Sequence, residues 1–369
     1  MQKRSALITG AVFLAAIFGL ASADLVTPPV EISVAERRRL ARFPEFYLKH
    51  VADGSFAADY ATYLKEQIVF RDGFRAIKAV AELELLRKGE NNGVYVVDGE
   101  IYDKFYGVNQ QYIDRATGLI NGLIASIGSD RVYLSVIPSK AHTLVGGGYL
   151  LSDQVAIADD LRRQVDVAYI DLMHPLRDNG ADVYYRTDHH WTTHGAAQAY
   201  AVLIEAMGYE PIRDYSLEEI TDAFVGSNYG RAALPGIEED SIVLAHNDLI
   251  DAMSMCRYTT ADTCDSFDAV YDREKADGLD PYDVFLGGAS PIVVIENGLA
   301  HTDRELVLFK DSYAHALAPF LAQHFSKVAL VDLRYVRREL VLENFDLDGK
   351  TVLFLYSTTI LNTDPQILN

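Results

Sequence analysis

Short, strongly apolar segments alternate with longer amphipathic ones through most of this chain, and this alternation restricts the fold more than any other feature. The segment at 131–137 is apolar on both faces, which is typical of an inner strand of a parallel sheet. Predicted helices separate most of the strands, as parallel crossovers require. The predicted strands lie at 131–137, 165–172, 183–186, 291–296, 305–309, 328–333 and 351–355, and the predicted helices at 111–127, 156–165, 194–207, 313–325 and 336–344. We therefore expect an α/β sandwich with a mostly parallel sheet.

Two stretches depart from this pattern. Residues 24–90 are predicted to form a linker and an N-terminal helical arm packed on the main domain, because residues 56–86 carry apolar side chains at helical spacing. Residues 91–369 are predicted to form the main domain, with an insertion at about 209–288 that is acidic and polar. The insertion holds both cysteines, Cys256 and Cys264, and a local disulfide is expected between them in an oxidising compartment.

The first 23 residues have the features of an export signal. A basic start at 1–4 precedes an uncharged apolar run, which closes on Ala21-Ser22-Ala23, a pattern that signal peptidase accepts. An uncleaved membrane anchor is the alternative, because the run approaches the length of a bilayer-spanning helix. We expect the chain to be exported, and to be either secreted or attached to a membrane only through this segment.

The charge of the chain bears on its partners. Asp and Glu outnumber Lys and Arg by 53 to 33, so the formal net charge is -20. Such a field repels phosphate backbones, which argues against nucleic acid as a partner. The same charge helps to keep the protein soluble.

Ser312 is the leading candidate nucleophile. It lies between the predicted strand at 305–309 and the predicted helix at 313–325, at the edge where open α/β sheets bind ligands. Backbone N–H groups of the first helical turn are suited to hold a developing oxyanion there. A structural role is the alternative, because Asp311-Ser312 is also a good helix N-cap.

Asp188 and His190 supply the other groups that acyl transfer needs. In an extended segment, residues two apart share a face, so Asp188 can orient the imidazole of His190 toward Ser312. A serine, an imidazole and a carboxylate are the minimal equipment for acyl transfer. A metal site built from Asp188, His189, His190 and His194 is the competing interpretation, although no Glu follows in the metalloprotease arrangement.

Further residues are candidates for contacts with the substrate or the oxyanion. Lys140 either binds substrate or is a solvated loop lysine, and Trp191 either forms a sugar-stacking wall or packs in the core. The segment 226–231 is either a structural turn or a source of oxyanion donors. The full set of these candidates is Lys140, Asn228, Gly226, Arg231, Trp191 and Tyr313.

These motifs resemble the DHHW family of bacterial exported proteins, which is related to the SGNH-hydrolase-like acetyltransferases that modify alginate and other polysaccharides. Lys310 and Tyr313 stand where ordinary SGNH hydrolases have glycine and leucine. The likeness runs from about Glu36 to the end of the chain. The matching stretches are Thr187-Asp188-His189-His190-Trp191, Phe285-Leu286-Gly287-Gly288, Lys310-Asp311-Ser312-Tyr313-Ala314-His315 and Asp332-Leu333-Arg334-Tyr335.

The resemblance implies an SGNH-hydrolase-like, flavodoxin-like three-layer sandwich and a triad of Ser312, His190 and Asp188, with no cofactor. It also implies O-acetyl transfer to, or removal from, a cell-surface or secreted polysaccharide, with a membrane partner that delivers the acetyl group. Two alternatives stay open. One is a non-catalytic envelope protein that binds glycan or a partner on the same scaffold, and the other is a metal-dependent hydrolase that uses Asp188 and His190.

Overall fold

The computed structural model describes residues 2–260 and 263–363. The chain divides into two compact units. The first unit consists of Met1–Asn92 with Tyr229–Gly236, and the second of Gly93–Asn228 with Ile237–Asn369. The second unit contains all three members of the expected triad.

Helices and strands are numbered here in chain order. The α-helices are α1 Gln2–Val26, α2 Leu48–Ala52, α3 Ser55–Gln67, α4 Arg71–Val80, α5 Gln110–Ile124, α6 Gln154–Gln164, α7 Met173–Asp178, α8 Thr193–Ala206, α9 Ser227–Ala232, α10 Asp248–Asp251, α11 Ala314–Leu321, α12 Arg338–Asn344 and α13 Thr358–Thr363. The strands are β1 Ile32–Ser33, β2 Arg38–Arg39, β3 Glu90–Asn91, β4 Val94–Val97, β5 Glu100–Asp103, β6 Val132–Ile137, β7 Ala168–Asp171, β8 Ser216–Phe224, β9 Asp240–His246, β10 Ser254–Tyr258, β11 Cys264–Phe267, β12 Ile292–Glu296, β13 Glu305–Lys310, β14 Lys327–Val331 and β15 Thr351–Ser357.

An eight-stranded sheet forms the centre of the second unit, in the order β11-β10-β12-β14-β13-β15-β6-β7. The five strands from β14 to β7 run parallel to one another, whereas β12, β10 and β11 are added in antiparallel pairs beyond β14. The last strand in the sequence, β15, lies inside the sheet between β13 and β6. Its Phe354 is opposite Phe309 on one side and Leu134 on the other. The mostly parallel sheet predicted from the sequence is confirmed.

Side chains of the inner strands alternate between two apolar cores, one on each face of the sheet. In β13, Leu306 and Leu308 belong to the core that includes α8 and α11. Val307 and Phe309 belong to the core that includes α5 and α6. Because both faces are buried, these strands are apolar at consecutive positions rather than at every second one. The result is a three-layer α/β sandwich, as expected.

Part of the predicted insertion belongs to the sheet. Strands β10 and β11 come from within residues 209–288 and extend the sheet at one end. Cys256 of β10 and Cys264 of β11 form a disulfide between these two strands, with their Cα atoms 5.6 Å apart. The polar sequence of β11 gives little apolar signal because this strand is at the edge and packs on one side only.

The segment at 183–186 is not a strand of the sheet. A 3-10 turn at Ala181–Val183 ends there, and Tyr184 forms a single bridge with Trp191. Val183, Tyr184 and Tyr185 are buried in the core beside α8. Their apolar character reflects this packing, which a local pattern cannot distinguish from that of a buried strand.

The first unit contains the N-terminal helix and the helical arm. Among the described residues, the stretch Leu7–Val26 of α1 is the one that is long and apolar enough to cross a membrane, with a mean hydropathy of 1.9. An export signal near the N-terminus has the same length and apolar composition. The predicted helix at 56–86 is divided into α3, α4 and a π turn at Ala81–Leu85, because Phe70 adopts a φ of 61° between α3 and α4.

Candidate active site

Ser312 lies in the turn between the carboxyl end of β13 and the start of α11. The Asp311 carboxylate shapes this turn, because it accepts the backbone N–H of Tyr313 at 3.1 Å and that of Ser357 at 2.7 Å. Ser357 is the last residue of β15, so two neighbouring parallel strands meet at Asp311. Ser312 itself is half-buried at this edge of the sheet, while α11 is buried along its whole length. The core therefore fixes the backbone that carries the serine.

A continuous series of hydrogen bonds connects Ser312 to Asp188. The Nε2 atom of His190 is 2.7 Å from Oγ of Ser312, and its Nδ1 atom is 2.7 Å from Oδ1 of Asp188. The same Oδ1 accepts the backbone N–H of His190 at 3.0 Å. An anionic Asp188 holds the proton on Nδ1 and leaves the Nε2 lone pair facing the serine, which is the arrangement that a general base requires. The fold thus brings together two groups that are 122 positions apart in the chain.

The loop before α9 holds Asp188 in place. The second oxygen of Asp188 accepts the backbone N–H of Ser227 at 2.7 Å, and the side chain is 1% exposed. Gly226 is so close that an added Cβ atom would lie 2.4 Å from Cβ of Asp188. Its N–H already donates to Oγ1 of Thr187 at 2.8 Å. Gly226 therefore allows the loop to approach Asp188 and does not present a free N–H to an oxyanion.

Asp240 fixes the backbone just before Asp188, and the sequence did not single it out. Its carboxylate accepts the backbone N–H groups of Arg186 and Thr187 at 2.7 and 2.8 Å, and the Thr187 hydroxyl at 2.5 Å. Burial raises the pKa of Asp240, and the hydrogen bonds from Thr187 oppose that rise. Asp240 lies among other acidic residues in the sequence. No local pattern distinguishes it from them, because the backbone groups that it binds are more than 50 positions away.

Two tyrosines pack against the rings of the histidine pair. The ring of Tyr282 stacks on His190, with centroids 4.0 Å apart and an interplanar angle of 9°. The ring of Tyr313 packs edge-on at 5.1 Å, and its hydroxyl donates to the carbonyl of His189 at 2.5 Å. Burial raises the pKa of both tyrosines well above the usual value, so both hydroxyls stay protonated. Tyr282 was missed in the sequence because it lies within the predicted insertion, shortly before the Phe285-Leu286-Gly287-Gly288 motif.

The surroundings of His190 favour its neutral form. Burial lowers the pKa of His190, and the nearby His189 lowers it further, whereas Asp188 opposes both effects. The two histidine rings are 3.9 Å apart, so a charge on one disfavours a charge on the other. A neutral imidazole is the form that can accept a proton from Ser312.

A buried charged cluster explains the lysine that precedes Asp311. Lys310 is fully buried, and its Nζ atom is 2.8 Å from Nε2 of His315 and 3.2 Å from Oδ2 of Asp332. Arg334 binds both oxygens of Asp332 at 2.8 and 2.6 Å. Burial lowers the pKa of Lys310, while Asp332 opposes this. The side chain that replaces a glycine therefore links the serine motif to the Asp332-Leu333-Arg334-Tyr335 motif.

Lys140 and Trp191 are both interior residues. The Nζ atom of Lys140 lies 2.5 Å from Oε2 of Glu100 and donates to the carbonyls of Tyr185 and Arg186 at 2.9 and 3.1 Å. Lys140 is therefore not a solvated loop lysine, and its donors are directed at the protein. Trp191 has no exposed surface and packs edge-on against Tyr313 at 5.2 Å, so it belongs to the core.

Asn228 and Arg231 have different surroundings. Asn228 is buried, and its Nδ2 atom donates to Oδ2 of Asp103 at 3.1 Å while its N–H donates to the Thr187 carbonyl. Its amide therefore braces the loop that holds Asp188. Arg231 belongs to the first unit, where its carbonyl accepts a hydrogen bond from Asn92 at 2.9 Å.

Asp188, His189 and His190 form the one group of described residues whose possible metal-ligand atoms all lie within 4.8 Å of one another. A cation there would have to displace the bonds from Asp188 to His190 and to Ser227. His194, the fourth residue of the metal interpretation, instead bonds to Gln198 through Nε2 at 2.6 Å. The arrangement of these side chains thus fits a series of hydrogen bonds better than a metal centre.

Other proteins of known structure share this fold. A DHHW family protein from Eubacterium siraeum DSM 15702 is 24% identical, with a TM-score of 0.64 over 75% of this chain and 94% of the other. Bacillus cereus PatB1 is 22% identical, with a TM-score of 0.61 over 75% of this chain and 99% of PatB1. A second PatB1 structure, with a sulfonyl adduct, matches at 21% identity, with a TM-score of 0.61 over 75% of this chain and 98% of the other. No curated protein sequence matches the chain.

The sequence also matches a family model, mostly within the second unit. The model for the DHHW protein family covers residues 86–331. This range contains Asp188, His190 and Ser312, together with β13 and α11. The expected resemblance is confirmed over more than half of the chain, and the protein belongs to the DHHW family.

Proposed function

We propose that this chain is an exported, serine-dependent O-acyltransferase or carboxylic-ester hydrolase that acts on the O-acetyl groups of a polysaccharide. The observation that carries the proposal is the hydrogen-bond series from Ser312 through His190 to Asp188, with two links of 2.7 Å. The acetyl group and the polysaccharide follow from the resemblance of the sequence motifs. The apolar α1 supports export.

In the first half of the reaction, Oγ of Ser312 attacks the carbonyl carbon of an acetyl ester while Nε2 of His190 takes the hydroxyl proton. The tetrahedral intermediate then collapses, the bond to the leaving alcohol breaks, and His190 returns the proton to that alcohol. Asp188 keeps the imidazole in one tautomer and stabilises its charged form during both steps. The product of this half is an acetyl ester on Ser312.

In the second half, a hydroxyl group attacks the acetyl-serine. His190 removes the proton of this hydroxyl, a new ester bond forms, and the proton returns to Oγ of Ser312. A sugar hydroxyl as the attacking group gives transfer, whereas water gives hydrolysis. The two outcomes therefore differ only in which acceptor occupies the position next to Nε2 of His190.

The oxyanion needs donors close to Ser312. The N–H groups of the first helical turn are already engaged, since that of Tyr313 donates to Asp311 and that of His315 donates to the Ser312 carbonyl. The N–H of Ser312 itself has no acceptor among the described residues and is the donor that we assign to the oxyanion. This N–H is presented by a turn that Asp311 fixes, so it costs little reorganisation during the reaction.

Covalent labelling tests the nucleophile directly. The purified chain is treated with a sulfonyl fluoride, and its peptides are sequenced by mass spectrometry. We expect one adduct, on Ser312, and no adduct in Ser312→Ala. We also expect Ser312→Ala to lose roughly a thousandfold or more in hydrolysis of a chromogenic acetyl ester.

Ser227→Ala is the matched control. The hydroxyl of Ser227 lies 3.1 Å from Nδ1 of His189. The hydrogen bond from Ser227 to Asp188 is donated by the backbone N–H, so the substitution keeps it. We expect this variant to keep the adduct and activity within about threefold of the parent. An unlabelled Ser312 in a folded protein would overturn the proposal and favour a glycan-binding protein without catalysis. Activity that disappeared with a chelator and returned with zinc would favour the metal-dependent alternative.

Glycan analysis tests the substrate. Native surface glycan from a strain that lacks the protein is compared with glycan from the parent strain by mass spectrometry. We expect a changed number of O-acetyl groups, which a plasmid with the intact chain restores and one with Ser312→Ala does not. If acetylation is unchanged while Ser312 still reacts with the sulfonyl fluoride, the assignment of the polysaccharide as substrate is wrong, whereas the assignment of Ser312 as nucleophile is supported.

A further inference from the structure

Helix α4 presents an apolar stripe to the outside. Phe74 and Ile77 are three positions apart and lie on one face of the helix, and Phe70 is the exposed residue immediately before the helix. Their exposed fractions are 42%, 67% and 70%, respectively. Leu85, in the π turn that follows α4, is also apolar and is 78% exposed. A surface helix normally directs such a stripe to the core, so something outside the unit is needed to cover it.

A separate, basic stripe of the same helix is directed into the unit. Arg71 and Arg75 are only 12% and 22% exposed, and both pair with Glu36. Arg75 also donates to the carbonyl of Gly230, and Lys78 donates to Oδ1 of Asn91, each at 2.5 Å. These bonds fix the rotation of α4 about its axis. The apolar stripe therefore cannot turn inward without breaking the ion pairs.

The start of α4 is attached to the end of the apolar helix α1. Oδ1 of Asp24, in the last turn of α1, accepts the N–H of Val69 at 3.1 Å. Gln67 bonds the backbone of Val30 through both its amide atoms, at 2.8 and 2.9 Å. Phe70 therefore lies next to the end of a helix that has the length and composition of a membrane span.

The two units also differ in their exposed apolar side chains and in their charge. Among the described residues that are large, apolar and exposed, 19 lie within residues 25–92 and 9 in the whole second unit. From Asp24 onward the first unit has 12 Lys and Arg against 11 Asp and Glu, whereas the second unit has 19 against 42. Next to α4, the first unit thus combines exposed apolar side chains with almost no net charge, so an anionic lipid surface does not repel it, whereas such a surface repels the acidic second unit.

We propose that α4 is an interfacial helix: its apolar stripe of Phe70, Phe74 and Ile77 lies in the boundary between lipid headgroups and acyl chains, beside the point where α1 leaves the bilayer. Membrane contact then extends beyond the N-terminal segment to which the sequence confined it. A lipid surface is favoured over a protein partner because the bond between Asp24 and Val69 places the stripe at the end of the membrane span. This proposal does not depend on the catalytic one.

Lipid quenching of introduced tryptophans tests the proposal. The full chain, with α1 shown to be intact by its mass, is reconstituted in nanodiscs whose phosphatidylcholine is brominated near the top of one acyl chain. Phe70→Trp and Ile77→Trp report on the stripe. Tyr106→Trp is the control, because Tyr106 is an aromatic residue of the second unit and is 59% exposed. The native Trp191 is fully buried, and the parent chain supplies its background.

We expect brominated lipid to remove about half of the emission that the Phe70→Trp and Ile77→Trp variants add, since an interfacial stripe lies within about 5–10 Å of the headgroup boundary. The emission added by Tyr106→Trp is expected to be unaffected. Equal quenching of the stripe and control variants would overturn the proposal. Absence of quenching at positions 70 and 77, in variants that unfold at the parent temperature, would also overturn it and point to a protein partner, because the nanodiscs contain none.

Discussion

Helices α4 and α11 were both predicted from apolar side chains at helical spacing, yet they have opposite surroundings. Helix α11 is buried at every position from Ala314 to Leu321, and the turn before it carries Ser312. Helix α4 buries Ala79 and turns Phe74 and Ile77 outward. The comparison teaches that the spacing of apolar residues predicts where a helix forms. Whether those apolar side chains are buried or exposed then distinguishes a helix that supports a site inside the protein from one that can bind another surface.

The largest expected effect concerns the series of bonds that α11 helps to hold. Asp188→Asn keeps the shape of the side chain but presents an amide N–H where Nδ1–H of His190 needs an acceptor. We expect kcat/KM for an acetyl ester to fall roughly a thousandfold to ten-thousandfold, as loss of the correct tautomer does in other triads. Initial rates and thermal unfolding are measured together. A folded Asp188→Asn protein within tenfold of the parent would contradict the role assigned to Asp188.

The next effect compares the two helices by stability. Leu317→Ala in α11 removes a fully buried side chain from the core that also contains Trp191, and we expect it to cost about 2–5 kcal/mol. Urea unfolding of the full chain in mild detergent, followed by Trp191 emission, measures this cost. A change below about 1 kcal/mol would show that the core beneath Ser312 is not closely packed.

The stacking of Tyr282 on His190 gives a smaller effect. Tyr282→Leu keeps an apolar side chain but removes the ring that lies 4.0 Å from the imidazole. We expect up to about a tenfold loss of kcat/KM, because an aromatic stack contributes about 0.5–1.5 kcal/mol beyond its buried area. Tyr282→Phe keeps the ring and serves as the matched control, with an expected loss within about threefold. Equal losses in the two variants would assign the effect to the hydroxyl instead.

The pH profile is expected to change less still. An unperturbed histidine loses about three-quarters of its neutral form when the pH falls to about 6. Burial and His189 lower the pKa of His190, so its neutral form persists to lower pH. We expect kcat/KM to fall less between about pH 7.5 and about pH 6 than an unperturbed histidine would give. A half-maximal rate at or above the ordinary histidine pKa would contradict the direction of the shift.

The smallest expected effect completes the comparison of the helices. Ile77→Ala removes an exposed side chain of α4, and the Trp191 signal reports on the second unit, so we expect less than about 0.5 kcal/mol of change. The same detergent and urea series as for Leu317→Ala is used. A loss as large as that of Leu317→Ala would show that α4 contributes to the stability of the second unit.

The features that could be predicted from the sequence are those that depend on local apolar patterns and short motifs. The inner strands were predicted because both their faces are buried, and β13 and α11 placed Ser312 at the correct edge of the sheet. The pairing of Asp188 with His190 followed from their two-residue spacing. The roles of Lys140 and Trp191 could not be chosen from the sequence, because burial depends on residues distant in the chain, such as Glu100 and Tyr313.

Other features gave no local signal at all. Asp240 and Tyr282 lie in a stretch predicted to be an insertion, and each acts on a residue that is far away in the sequence. Strands β10 and β11 were missed because an antiparallel edge needs less apolar sequence than an inner parallel strand. The outward rotation of α4 depends on Glu36, which precedes the helix by 35 positions.

The position of β15 inside the sheet has a consequence for how the protein is made. β6 pairs with β7 on one side, but its neighbour on the other side, β15, is synthesised more than 200 residues later, and Ser357 is also needed to complete the turn at Asp311. A chain synthesised only as far as β14 therefore has a sheet without its β15 strand, and its turn at Asp311 lacks the bond from Ser357. We expect the proposed activity to begin only after this final strand has been synthesised and has paired with β13 and β6.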